Sequence, residues 1–400
     1  MFSSWAVAAL APSELELNRT KLRYAPFRES SPLALSLDIL TTAPHPRCVI
    51  LKSRYPLLHF IMIKSFESID SFLSAFRDVA PIVAGVAVKD FDEKKILRYK
   101  SVSARQKSYR QFSIPKRSGG ERQITAPTGM VKAFQSCVAA LLAKEYTPVT
   151  CAMGFAPGRS VLTNAECHTG KTHVLNVDLK DFFTSIGAPK VEHTLVWVGV
   201  EPLTAQLIST LCCYPFKTDD GRIRNVLPQG SPASPILSNI ACETMDLRLT
   251  GLAARFGLTY SRYADDITFS GSFPDIPTGD RLFAQDGEFF QEMQQILLDN
   301  GFLLNEKKTR LAHQGDRKEV TGLTVTDKVN VSRSFTKNLR AAIHQMEYFI
   351  PDDALMRQIS GRLAYMKMVK GFNDPTYLEL RRKFRRIRHK IQAHAKKQRG

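Results

Sequence analysis

The chain is short of acid. It also has no paired-cysteine motif, no long apolar run and no internal repeat, and each absence removes a class of protein. Its 38 Asp and Glu face 56 Lys and Arg, a net charge of +18. A surplus of that size points to a polyanionic partner, with simple solubility charge as the competing reading. The cysteines stand at 48, 137, 151, 167, 212, 213 and 242. Their number is odd and no C-x-x-C occurs. Cys212 and Cys213 are adjacent, a poor geometry for a disulfide, so a reduced cytoplasmic protein with buried thiols is expected. No His or Cys pair has zinc-ligand spacing, which argues against a structural zinc. No apolar stretch reaches the ~18 residues of a transmembrane helix, so no membrane partner is expected. The absence of a repeat period excludes a solenoid. The remainder is ordinary for a globular chain, 44% hydrophobic and 24% charged. A length of 400 residues exceeds the ~100–200 of one domain, so two or three subdomains sharing a core are expected.

Residues 1–61 carry Ala-Pro, Ser-Ser-Pro and Pro-His-Pro punctuation and no helical period. They read as an accessory extension, either disordered or preceding a native start at Met62, with an N-terminal docking segment as the alternative. The first residues, Met1-Phe2-Ser3-Ser4-Trp5, lack the basic region of a secretory signal. From Met62 onward Phe66, Ile69, Phe72, Leu73 and Phe76 recur at helical spacing. Residues 105–330 alternate β-branched and aromatic runs with helical stretches, which predicts an α+β or α/β catalytic core. After 335 the period is helical throughout. Leu339, Ile343, Met346, Phe349 and Ile350 share one face, and Leu355, Ile359, Leu363 and Met366 share another. The last twenty residues hold ten Lys and Arg and no acid.

The chemistry is concentrated in two segments. Val174-Leu175-Asn176-Val177 is a strand-former run that ends at Asp178. Tyr260-Ser261-Arg262-Tyr263 and Ile267-Thr268-Phe269 flank Ala264-Asp265-Asp266, which reads as a tight hairpin with acids at its tip. For an isolated Asp-Asp pair a solvated turn is the commoner explanation. Buried unpaired, such a pair is costly, and a divalent metal offsets that cost. Three carboxylates from separate strands suit a two-metal site of the kind that activates a hydroxyl and stabilises a leaving oxygen. Mg²⁺, which prefers a few carboxylates plus substrate phosphates, is the expected ion, two per site.

These motifs resemble those of reverse transcriptases. Tyr263-Ala264-Asp265-Asp266 resembles the family's Y-x-D-D box, and Asp178 with Phe182-Phe183 is similar to its first catalytic strand. Leu227-Pro228-Gln229-Gly230 resembles the Pro-Gln-Gly box, with the helix of Ile236-Leu237-Ser238-Asn239-Ile240 after it. Phe112 to Ile124, containing Lys116, Ser118-Gly119-Gly120 and Arg122, is similar to the fingers hairpin. All four occur in the family's order, over roughly residues 105–330. The resemblance implies a right-hand polymerase fold of class α+β. Fingers and palm would occupy 62–330, and a basic helical thumb 331–400. It implies that Asp178, Asp265 and Asp266 hold the metals. Lys116 and Arg122 are then expected to close on a triphosphate, to which both side-chain types are suited. Gln229 is expected beside the incoming nucleotide, with Gly230 allowing close backbone approach. Asp181 would touch the triphosphate through its N–H. Phe183 would lie under the sugar and exclude a 2′-OH. Gly301 to Thr309 resembles the downstream box whose lysine protonates pyrophosphate; Lys308 fits because Thr309 follows it, and Lys307 is the alternative.

Asn164-Ala165-Glu166-Cys167-His168 and Val320-Thr321-Gly322 are similar to boxes of bacterial retron enzymes, and Met153-Gly154-Phe155 and Arg159-Ser160 agree with them. Asn164 and His168 are expected to bind a nucleic-acid backbone or to orient the strand bearing Asp178. A core histidine is the plainer reading of His168. The resemblance implies a structured non-coding RNA that serves as template and primer. Synthesis from dNTPs would start at a guanosine 2′-hydroxyl and leave a 2′,5′-branched DNA, within an anti-phage system that has an effector protein. In the tail, Arg382, Arg385, Arg386 and Arg388 are expected to face RNA phosphates while Phe384, Ile387 and Ile391 pack inward. The alternatives are another bacterial reverse transcriptase, group II intron-like or defence-associated, and a catalytically silent RNA-binding scaffold.

Overall fold

The computed structural model describes residues 66–85, 98–116, 119–218, 220–348 and 352–397, with side chains to 391. The extension 1–61, Met62, Cys48, Ser118, Phe349 and Ile350 lie outside the described residues.

Helix α1 (Ile69–Ala84) begins at Ser68, whose hydroxyl accepts from the Ser71 N–H at 3.0 Å, a capping box that satisfies orphan donors of the first turn. The helical period seen in the sequence buries Phe72 and Phe76. After α2 (Val102–Lys107), strands β1 (Tyr109–Pro115) and β2 (Glu121–Pro127) form a long antiparallel hairpin. Its turn places Gly119 and Gly120 at φ 85° and 77°, which favours residues without a Cβ. Helix α3 (Gly129–Glu145) brings Phe134 onto Phe72 and Phe76, ring centroids 6.3 and 5.4 Å away. Each such fully buried ring stabilises the fold by roughly 1.5–3 kcal/mol.

The short α4 (Val161–Glu166) leads into β3 (His173–Lys180), the central strand. Every residue of β3 except the last is buried or half-buried, so both of its faces must be covered. Helices α5 (Phe182–Ser185), α6 (Ala188–Trp197) and α7 (Pro202–Cys212) follow, then a second hairpin of β4 (Tyr214–Lys217) and β5 (Ile223–Val226). Helix α8 (Ser234–Arg255) is apolar on most sides and correspondingly buried. Strands β6 (Thr259–Tyr263) and β7 (Asp266–Gly271) pair with β3 in the order β6-β7-β3. Helices α9 (Ile276–Leu282) and α10 (Glu288–Asp299) come next. Strands β8 (Leu303–Leu304) and β9 (Arg310–Ala312) then close the other edge of β3. All these pairings are antiparallel.

A second apolar core lies further along the chain. Strands β10 (Glu319–Val320), β11 (Leu323–Val325) and β12 (Val329–Asn330) make a small sheet, followed by α11 (Arg333–Gln345), α12 (Asp353–Lys370) and α13 (Pro375–Lys397). Val320, Leu323 and Val325 share this core with Leu339, Ile343, Ile359, Leu363, Met366, Phe384 and Ile387. The small sheet therefore packs with the C-terminal helices, and Ala165 and Val174 belong to the same cluster.

Candidate active site

Strand pairing brings the acids together. In the antiparallel register Asp178 of β3 stands directly opposite Asp266 of β7. Asp265 occupies the β6–β7 turn, and its carbonyl accepts from the Leu179 N–H at 3.0 Å. Like charges placed opposite one another on paired strands repel. Burial, followed by Asp178, raises the Asp265 carboxyl above its ordinary range. Asp266 is pushed up to about 6, first by desolvation in the cleft and then by Asp265 and Asp178. The outer face of Asp266 still reaches solvent, so that desolvation is partial. Lys308 offsets part of the repulsion at both residues. A site that holds its acids against their own repulsion has the character expected of a cation site.

Two further side chains hold Asp178. The Lys308 ammonium donates to Oδ2 at 2.9 Å and to Oδ1 at 3.1 Å. The Asn305 amide donates to Oδ1 at 2.9 Å, and its backbone N–H donates to the Asp178 carbonyl at 2.9 Å. Lys308 is therefore the lysine of the downstream box that reaches the acids. Asn305 lies inside the same box, and its bond spans 127 residues and leaves no local signal in the sequence.

The neighbouring loops converge on the same end of the sheet. Arg122 pairs with Ile114 near the tip of the β1–β2 hairpin, and its charge lowers the Asp265 pKa. Lys116 is exposed at the hairpin turn, where its N–H donates to the Gly120 carbonyl at 2.9 Å. The Gln229 carbonyl accepts from the Thr125 N–H at 2.8 Å, which ties the Pro-Gln-Gly loop to β2. Gly230 has φ 124°, and a Cβ there would lie 2.8 Å from Ile124 Cγ2. Its close approach is thus to the hairpin strand. Asp181 is exposed in a left-handed conformation, φ 49°, at the start of α5. The half-buried Phe183 ring packs on Phe182 and Phe155, centroids 5.2 and 6.2 Å away.

The family model described as reverse transcriptase (RNA-dependent DNA polymerase) matches residues 114–369, which include all of these positions. The retron Ec86 reverse transcriptase of Escherichia coli is 32% identical over 266 residues, 65% of this chain and 76% of that protein. The chain belongs to the retron reverse transcriptases. The retron Mx65 and Mx162 reverse transcriptases of Myxococcus xanthus are 37% and 36% identical, each over 68% of this chain. The matched region spans 65% and 59% of those two proteins. The reverse transcriptase architecture here is the right-hand polymerase fold, with helices packed on an antiparallel sheet.

This family is generally metal-dependent, and the donors fit a hard divalent ion, since Asp178, Asp265 and Asp266 offer carboxylate oxygens alone. Among the described residues no three acidic, His or Cys side chains already converge as a ligand set. Lys308 and Asn305 hold Asp178 in the arrangement seen.

Two expected RNA contacts are corrected by the structure of this reverse transcriptase. Asn164 and His168 are each 1% exposed and cannot meet RNA. His168 bonds Ser270 through Nδ1 and Ser261 through Nε2, both at 2.7 Å. The Ser261 hydroxyl donates to Asn164 Oδ1 at 2.6 Å, and Asn164 Nδ2 donates to Thr321 at 3.5 Å. The Asn-Ala-x-x-His and Val-Thr-Gly boxes thus meet each other and lock β6 and β7, the strands that flank the turn of Asp265. By contrast Arg382, Arg385, Arg386 and Arg388 are exposed along α13, between and beyond the buried Phe384 and Ile387. No described helix is long and apolar enough to cross a membrane.

Proposed function

We propose that this chain is an RNA-directed DNA polymerase that copies a structured non-coding RNA into a small RNA-linked, 2′,5′-branched single-stranded DNA. The observation that carries this reading is the placing of Asp178 directly opposite Asp266, with Asp265 at the adjoining turn. Asp178, Asp265 and Asp266 would hold two Mg²⁺ ions. When bound, the ions neutralise phosphate charge and make the attacking hydroxyl a better nucleophile.

The rest of the chemistry belongs to the chain. Arg122 and Lys116, on the β1–β2 hairpin whose Arg122 charge is felt at Asp265, grip the dNTP triphosphate, with the Asp181 N–H as a further donor. Gln229 lies against the nucleotide, and Phe183 beneath its sugar excludes a 2′-hydroxyl. Lys308 releases Asp178 and gives its proton to the departing pyrophosphate. The cognate RNA supplies template and priming guanosine. The exposed arginines of α13 grip it, and an effector protein completes an anti-phage system. The six described cysteines are free thiols, in keeping with the cytoplasm.

The deciding assay co-expresses the chain with the RNA gene beside its own and then supplies dNTPs and Mg²⁺. Branched DNA from the wild-type chain, and none from Asp265→Asn with Asp266→Asn, is expected, while RNA binding persists in the variant. Near wild-type primer extension by the double variant would remove these acids from catalysis. Unbranched products would leave a polymerase that is not of retron type.

A further inference from the structure

Behind the acid-bearing turn lies an ion pair that the proposed chemistry does not use. Arg262 and Asp246 are both 0% exposed. The contact is bidentate: Nε donates to Oδ1 at 2.8 Å and Nη2 to Oδ2 at 2.6 Å. The Tyr260 hydroxyl donates to the same Oδ1 at 2.7 Å. The guanidinium has donors to spare. Nη2 also reaches Asn239 Oδ1 at 3.1 Å, and Nη1 reaches the Ala264 carbonyl at 3.2 Å. Asn239 Nδ2 in turn donates to the Gly154 carbonyl at 3.0 Å and the Phe155 carbonyl at 3.3 Å.

The Arg262 main chain joins the same parts. Its N–H donates to the Cys151 carbonyl at 2.9 Å, and its carbonyl accepts from the Met153 N–H at 2.7 Å. One residue therefore ties helix α8, the 151–155 loop and the β6–β7 turn together. Ala264, directly before Asp265, is held at φ 57°, a conformation unusual for a residue with a Cβ. A Cβ on Gly154 would lie 2.7 Å from the Ala264 nitrogen, so the loop presses on the back of the same turn. Replacing a buried ion pair by apolar groups is often neutral or stabilising, so stability alone does not explain this one. Its remaining donors all point at main-chain groups around the turn, or at the amide that binds them.

We infer that Arg262, with Asp246 and Asn239, is the positioning device that fixes the Ala264–Asp265 backbone and thereby aims the carboxylates of Asp265 and Asp266. The kinetic part of this inference rests on the polymerase reading, whereas the effect on cation binding does not. The test replaces both charges, Arg262→Met with Asp246→Leu, in the full chain. Apolar side chains restore packing, but the bonds to Ala264 and Asn239 are lost. Mn²⁺ affinity is titrated by electron paramagnetic resonance without RNA or nucleotide, and kcat and dNTP KM are measured on a primed RNA template.

The expected result is an unfolding midpoint within about 5 °C of wild type. Mn²⁺ binding should be about tenfold weaker and kcat about a hundredfold lower, with KM little changed. Arg262→Lys, which keeps the charge but not the fork, should fall between. A folded double variant with wild-type Mn²⁺ affinity and kcat overturns the inference. If the double variant does not fold, Arg262→Lys carries the same measurements, and wild-type values there overturn it. A wild-type chain that binds Mn²⁺ but makes no DNA sinks the polymerase reading alone, and the Mn²⁺ comparison then decides. One that does neither overturns both.

Discussion

The Asn305 side chain holds the Asp178 carboxylate through one hydrogen bond, which can be removed without disturbing any charge or the backbone bond beside it. Asn305→Ala should lower kcat about tenfold, the size of one hydrogen bond to a charged acceptor. Asn305→Asp should be worse, because it sets a fourth carboxylate against Asp178. Single-turnover primer extension reads both, and wild-type rates in the two variants would make Asn305 a bystander. At Phe183 the ring is braced by Phe182 and Phe155, which limits how far it can yield to a 2′-hydroxyl. Phe183→Ala should lower the dNTP-to-rNTP ratio of kcat/KM at least about tenfold. Unchanged discrimination would show that another group selects the sugar. Asp178, Asp265 and Asp266 were legible because each sits in a short ordered motif. Asn305, Asp246 and Asn239 were not, because their partners lie elsewhere in the chain and only folding brings them into contact.

The β6–β7 hairpin was readable as an element, since apolar strand formers flank two acids and a turn. Its bracing by the segment Val161–His168 was legible only in part: a core histidine and a strand-orienting role were readable, but the partners Ser261, Ser270 and Thr321 were not, because only folding brings them to the box. Ser261 spends its one proton on Asn164, so His168 Nε2 carries a hydrogen. Burial, followed by Lys171, lowers the ring's pKa to about 4, so near neutral pH the ring is neutral and Nδ1 accepts from Ser270. The unfolded chain takes up this proton near pH 6.5, whereas the folded chain does not until about pH 4. The stability that depends on this group is thus whole above about 6.5 and is lost as pH falls towards 4, by on the order of 3 kcal/mol. Urea midpoints of wild type and His168→Gln, compared from pH 7 to 4, should diverge in slope, with the variant the flatter. Parallel curves would mean that the folded chain protonates the ring at the same pH as the unfolded one.

At the scale of the whole molecule the net charge of +18 is visible in composition alone. Its placement required the fold. Period 3.6 in the last helix already separated Phe384, Ile387 and Ile391 from the arginines, and the structure buries the first two in the second core with Ile391 packed against them. This anchors α13 as a packed helix and turns Arg382, Arg385, Arg386 and Arg388 outward. The described face carries exposed His389 and Lys390 beside them. RNA held by such a face gives up counterions, so its affinity falls with salt at a log–log slope of about −0.7 to −0.9 per phosphate contact. Replacing the four arginines by Gln should weaken binding of the cognate RNA and flatten that slope by about 3. The buried side of the helix is untouched, so the unfolding midpoint should hold. Extension of a saturating generic primer–template should change little, because the four positions lie outside the acid cluster. Filter binding across a salt series measures the slope directly. Equal affinity and equal slope in the quadruple variant would take α13 off the RNA surface and leave its charge as a solubilising face.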